Sequence, residues 1–140
     1  MSEKIDVIKQ WVKKADHDLG TAQLTHLYIP GYVDTIAFHC QQAVEKYFKS
    51  YLIYLDIPFK KQHSLNYLLS LISQNNEISN ELFNYAAELE GFAVEIRYPD
   101  SSIELTDEDI LQALKIVKIF RNFILDKMNL IIEYKDIMKE

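Results

Sequence analysis

Ile5, Ile8, Val12, Ala15, Leu19 and Ala22 recur at spacings of three and four, which places them on one stripe of a helix longer than five turns. Few other architectures accept such a segment, and the rest of the chain contains little that would interrupt one. Only three glycines and three prolines are spread over 140 residues, too few for the turns of a sandwich, a barrel or a Gly-rich nucleotide fold. The expectation is an all-α chain of long, uninterrupted helices.

The same periodicity and its punctuation divide the chain into about five helices. The first runs from about Glu3 to Thr25 and ends at Ile29-Pro30-Gly31. The second, about Tyr32 to Leu55, buries Ile36, Cys40, Val44, Tyr47, Tyr51 and Leu55 and closes at Asp56-Ile57-Pro58. A third begins near Ser64, turns Leu65, Leu68, Leu69 and Ile72 inward, and dissolves at Gln74-Asn75-Asn76. A fourth, about Ser79 to Glu90, starts at Ser79 as N-cap. Residues 91–105 read as the longest irregular stretch.

Thr106-Asp107-Glu108-Asp109 then forms a capping-box pattern with three acids at the positive end of the helix dipole. The last helix runs on to about Met128 or beyond. Its apolar residues Ala113, Ile116, Val117, Phe120, Phe123, Ile124, Met128 and Ile131 exceed one narrow stripe, so a partner surface is expected, most simply a second copy of the chain. Short connections between long helices give antiparallel neighbours, hence an antiparallel up-and-down bundle over residues 1–140 as a single domain.

Bulk chemistry excludes several classes. Apolar residues make up 49%, with nine Tyr and seven Phe, which is incompatible with disorder. A single cysteine, Cys40, within an apolar helical pattern, is a small core residue and excludes an internal disulfide framework. Met1 to Lys14 alternates charges instead of running apolar, and no stretch approaches the roughly 18 apolar residues of a membrane span, so a cytoplasmic protein is expected.

Net charge is −6, which weighs against indiscriminate binding to duplex nucleic acid. Charge is nonetheless uneven. Residues 39–63 carry four lysines against Glu45 and Asp56, while residues 77–109 carry ten acids and only Arg97.

Candidate chemistry concentrates in two places. His39, Gln42, Lys46 and Lys49 stand at i, i+3, i+7 and i+10, one polar stripe along the second helix. Arg97-Tyr98-Pro99-Asp100 places one of only two arginines beside a proline that cannot continue a helix. A guanidinium can hold a phosphate or carboxylate through two parallel hydrogen bonds, and Tyr98 before proline is biased to extended backbone.

Each feature also has a plainer reading. Arg97 can clasp Asp100 or Glu95, Glu45 and Lys49 can be an ordinary i, i+4 pair, and His63 or Ser64 can cap the third helix beside Lys60 and Lys61. Asp16, His17 and Asp18 do not form a metal site, because consecutive helical residues point about 100° apart. Asp18 is instead expected to pair with Lys46 or His39. Most aromatics, including Tyr28 and Tyr32, read as core by spacing, with one or two free to stack a base near the open end of the bundle.

Taken together these residues resemble the HEPN domain family. The resemblance rests on Trp11 with Ala15-Asp16-His17-Asp18-Leu19, the block Phe38-His39-Cys40-Gln41-Gln42-Ala43-Val44-Glu45-Lys46, the run Lys61-Gln62-His63-Ser64-Leu65, and Arg97-Tyr98-Pro99-Asp100. It implies a bundle of four or five helices, often a homodimer, with a nucleotide- or RNA-related role beside a small nucleotidyltransferase partner. Many HEPN proteins are ribonucleases with an Arg-x(4–6)-His motif. Here Ser102, Ile103 and Glu104 follow Arg97 at those positions, Asp126, Lys127 and Met128 follow Arg121, and no histidine follows His63.

The resemblance therefore implies a non-catalytic module that binds a nucleotide or RNA end. Arg97, Lys46 and Lys49 would hold phosphate, and His39, Gln42, His63, Tyr98 and Asp100 would complete the site. No catalytic residue, metal or cofactor is assigned. Two alternatives stay open: an interaction dimer with no ligand, and a divergent metal-independent ribonuclease using His39 or His63 as general acid–base.

Overall fold

The computed structural model describes residues 2–95 and 105–139, which form five helices and no strand. They are α1 (Ser2–Tyr28), α2 (Val33–Tyr54), α3 (Leu65–Ile72), α4 (Asn80–Glu95) and α5 (Asp107–Met128). Arg97, Tyr98 and Asp100 lie outside the described residues.

Helix α2 is the axis of the molecule and packs against each of the other four. Its pairing with α1 is antiparallel: Lys4 reaches Asp56 at 3.0 Å, Asp16 meets Tyr47, and Asp18 meets His39, so the α2 partner number falls as the α1 number rises. Helix α5 runs antiparallel to α1, with His26 4.0 Å from Asp107 at one end and Asp16 bonded to Arg121 further along.

The apolar stripes meet in one core. Ile8, Val12, Ala15, Leu19 and Ala22 of α1, Ile36, Cys40, Val44 and Tyr47 of α2, and Leu65, Leu68, Leu69 and Ile72 of α3 have no exposed surface. Phe48 and Phe120 cross edge to face at 4.9 Å, locking α2 to α5. The Cys40 thiol is pushed up to about 12 by burial, which leaves it a packing residue.

Helix ends follow local chemistry. Ser64 and Ser79 accept the backbone N–H groups of Tyr67 and Leu82, as N-caps do. At the head of α5 the Thr106 side chain accepts from the Asp109 N–H at 3.1 Å, while the Asp109 carboxylate accepts from the Thr106 N–H at 2.9 Å. Asp56 and Asn129, with φ of 58° and 54°, take the left-handed conformation that ends α2 and α5.

Three expectations need correction. Helix α1 continues to Tyr28, past Thr25. Helix α4 passes through Gly91 to Glu95, because Gly91 sits on an exposed face where helix packing by Leu89 and Ala93 continues regardless. Tyr28 and Tyr32 are exposed rather than core, since both flank the α1–α2 turn. Of the apolar residues expected on the last helix, Ala113, Ile116, Val117, Phe120, Ile124 and Met128 are buried, Phe123 is half-buried and Ile131, beyond the end of α5, is fully exposed, while residues 129–139 fold back over α1 and α5 as a strap.

Candidate functional site

The polar residues singled out by the sequence divide into separate groups. Asp18, projecting from α1 toward α2, accepts His39 Nδ1 at 2.8 Å on one oxygen and Lys46 Nζ on the other. Glu45, almost fully buried, accepts Lys49 Nζ at 2.9 Å and faces His63 Nδ1 at 3.0 Å. Lys49 is caged as well as paired, with its ammonium 5.8 Å from the centre of Trp11 and 5.9 Å from that of Phe59. His39 Nδ1, Lys46 Nζ and Lys49 Nζ thus each meet a carboxylate supplied by the fold.

Gln42 and His63 do come together. They line a cleft of about 730 Å³ with Phe38, Gln41, Ser64, Glu90 and Ala93, where α2, the start of α3 and the end of α4 converge. Phe38 is half exposed at this cleft, and the His63 side chain is largely exposed. Gln41 donates its amide N–H to the His63 carbonyl at 2.9 Å, while its side-chain oxygen is buried with no partner among the described residues.

The start of α3 is already occupied. The Glu90 carboxylate accepts the Leu65 N–H at 2.6 Å and Ser64 Oγ accepts the Tyr67 N–H at 3.2 Å. The anion that a helix N-terminus favours is supplied from α4, so Lys60, Lys61 and the head of α3 do not make an independent phosphate site.

A further cluster went unforeseen in the sequence. Arg121 bonds both oxygens of Asp16, at 2.8 and 3.1 Å, and also donates to the Ile132 carbonyl at 2.9 Å. Tyr47 donates to the same Asp16 carboxylate at 2.5 Å, and the Tyr134 ring lies 5.2 Å from the guanidinium. Burial alone would lower the Arg121 pKa, but hydrogen bonds to Asp16 and its charge outweigh that and raise it. Burial and the Asp16 charge push the Tyr47 phenol well above its usual value, keeping it a donor. Asp16, Arg121 and Tyr47 satisfy one another and the Tyr134 ring lies beside the guanidinium, so this is a structural clasp. Asp16 and Asp18, two residues apart, both reach α2, but only Asp16 reaches α5 as well.

The fold and these residues now meet the comparisons with known proteins. The HEPN domain model matches residues 8–128. The chain belongs to the HEPN domain family. Its fold is similar to the crystal structure of an archaeal HEPN homologue, with a TM-score of 0.69 and 24% identity over 86% of this chain and 97% of that one. No curated protein sequence matches it. Within this HEPN domain, the cleft between α2, α3 and α4 and the Asp16–Arg121 clasp both lie inside the matched residues, whereas the strap begins where the match ends. No helix among the described residues is long and apolar enough to cross a membrane.

Proposed function

We propose that this HEPN domain is a non-catalytic module that binds a nucleotide or an RNA end in the cleft between α2, α3 and α4, acting beside a small nucleotidyltransferase partner. The observation that carries the reading is the cleft itself. It joins the half-exposed ring of Phe38, the Gln42 amide and the exposed imidazole of His63.

Their chemistry suits a base more than a phosphate. A base stacked on Phe38 would gain roughly 1–3 kcal/mol. Gln42 can both donate and accept along a base edge. The phosphate is assigned to Arg97, which follows Glu95 by two residues in the sequence, with Tyr98 and Asp100 beside it. In this reading Asp18 of α1 holds His39 and Lys46 of α2, Glu45 holds Lys49 one turn along the same helix, and none of the three touches the ligand. The non-catalytic assignment follows from the missing Arg-x(4–6)-His motif.

A second reading is favoured by the same ion pairs. With His39, Lys46 and Lys49 already partnered, the polar residues can serve the bundle alone, and the protein is then an interaction module. Thermal-shift titration with ATP, GTP, AMP and a short RNA separates the two. A ligand at 100 times its dissociation constant stabilises the fold by about 2.7 kcal/mol, several degrees for a domain of this size. A shift seen in wild type and lost in folded Arg97→Ala and Gln42→Leu variants supports the binding module. No shift with any ligand, and an Arg97→Ala variant that melts well below wild type, leaves the interaction module.

A further inference from the structure

Residues 130–139 alternate in exposure, the even-numbered ones half-buried and the odd-numbered ones facing solvent. The inward residues hold the strap to the bundle. Arg121 donates to the Ile132 carbonyl at 2.9 Å, Tyr134 donates to Gln23 at 2.6 Å, and Asp136 accepts from Gln23 at 3.0 Å and pairs with Lys118 at 2.5 Å. Between the strap and α1 this anchorage leaves a cleft of about 660 Å³. That volume falls in the range of small-molecule sites, roughly 300–1,000 Å³. The cleft shares no lining residue with the one between α2, α3 and α4.

Its charge is lopsided. Lys9 and Lys13 enter from α1 and Lys135 from the strap, and none of the three forms an ion pair among the described residues. Of the two acids in the lining, Asp16 is spent on Arg121 and Tyr47, which leaves Glu133 alone against three ammonium groups. This excess of positive charge stands in a chain whose net charge is −6. An anion is the ligand such a lining attracts.

The rest of the lining is aliphatic and open. Ile131 is 100%, Leu24 49% and Ile137 39% exposed. Along α1 the lining passes from Lys9 and Lys13 through Gly20 to Leu24, about 22 Å at 1.5 Å per residue, so charge gives way to apolar surface along one direction. Gly20 is unfavourable inside a helix, yet it keeps the middle of the cleft clear. A Cβ there would meet the Tyr134 hydroxyl at 3.6 Å, and a longer side chain would enter the cleft. No base platform is offered, because Tyr134 is the one Tyr, Phe or Trp of the lining and its ring lies against Arg121.

We propose that this cleft binds a single-chain aliphatic carboxylate, its head at Lys9 and Lys13 and its chain laid over Gly20 and Leu24 toward Ile137. The site is independent of the nucleotide cleft, and either can exist without the other. Part of it lies on residues beyond the stretch matched by the HEPN domain model, so it is an addition to the common domain.

Calorimetric titration of the full chain with decanoate, decan-1-ol and decylamine tests this. Decanoate should bind one to one, decan-1-ol about tenfold or more weaker for want of a charge, and decylamine not at all. Acetate, which has the head without the chain, should give no heat. Lys9→Glu/Lys13→Glu and Gly20→Met should each weaken decanoate by about tenfold or more, while Gly20→Ala should not. Lys14→Glu/Lys115→Glu makes the same change of net charge away from the cleft and should leave binding intact. Circular dichroism should find all variants folded, since these lysines are exposed and Gly20 is helical already. Decylamine binding as well as decanoate, or decanoate binding that survives both Lys9→Glu/Lys13→Glu and Gly20→Met, overturns the site. No heat at millimolar decanoate overturns it equally, whether sedimentation then finds a second copy or flotation an anionic vesicle in the ligand's place.

Discussion

Asp16 and Arg121 are separated by 105 positions in the chain yet share two hydrogen bonds in the interior. Both are nine-tenths buried, so each ion depends on the other for the solvation it gave up. Arg121→Ala leaves the Asp16 carboxylate with Tyr47 as its main donor, and a loss of about 3–5 kcal/mol in urea denaturation is expected. A loss below about 1 kcal/mol would show that water replaces the guanidinium and that the clasp is ornamental. Little of this cluster was legible beforehand. Tyr47 reads as core from its spacing, and Asp16 carries no mark that distinguishes it from Asp18. The pairings of Asp18 with His39 and Lys46 were legible, because two adjacent antiparallel helices with polar residues at facing heights leave few other partners.

At the scale of elements, the helices follow their periodicity and the strap does not announce itself. The start and inward face of helix α3 were readable because four leucine and isoleucine side chains sit at helical spacing behind a serine cap, although it stops at Ile72, short of Gln74. Helix α4 outran its reading since a glycine on a solvent face costs only about 1 kcal/mol against alanine, less than the packing on either side returns. The strap's period of two spans too few residues, beside the strong helical signal of α5, to be read with assurance.

Its anchorage is sensitive to acid. Burial pushes the Asp136 carboxyl up, but Lys118, the Met138 N–H and Gln23 together outweigh that and hold it below its ordinary 3.8. A lowered folded value means the contribution is complete above the unfolded pKa and disappears as pH falls through the folded one. The melting-temperature gap between wild type and Asp136→Asn should be full near neutral pH and close below about pH 4. A gap that stays constant across that range would show that the strap is not held by this carboxylate.

For the whole molecule, the balance of charge decides what it avoids. Net charge is −6, and the lysine-rich part of α2 is neutralised at close range by Asp18 and Glu45. Fluorescence anisotropy at physiological salt should therefore find no binding to duplex DNA, and micromolar affinity would mean that a basic face assembles elsewhere. The all-α class, the five helices, their caps and the HEPN family were all determined by the sequence alone. They rest on interactions between residues a few positions apart, which a linear text records directly. Tertiary structure alone decided how the interior carboxylates are shared. Asp16 takes Arg121 from 105 positions away, Glu45 meets His63 as well as Lys49, and Asp18 holds both His39 and Lys46 where the sequence offered either. Such outcomes depend on which side chains meet across the bundle and on how much water reaches them.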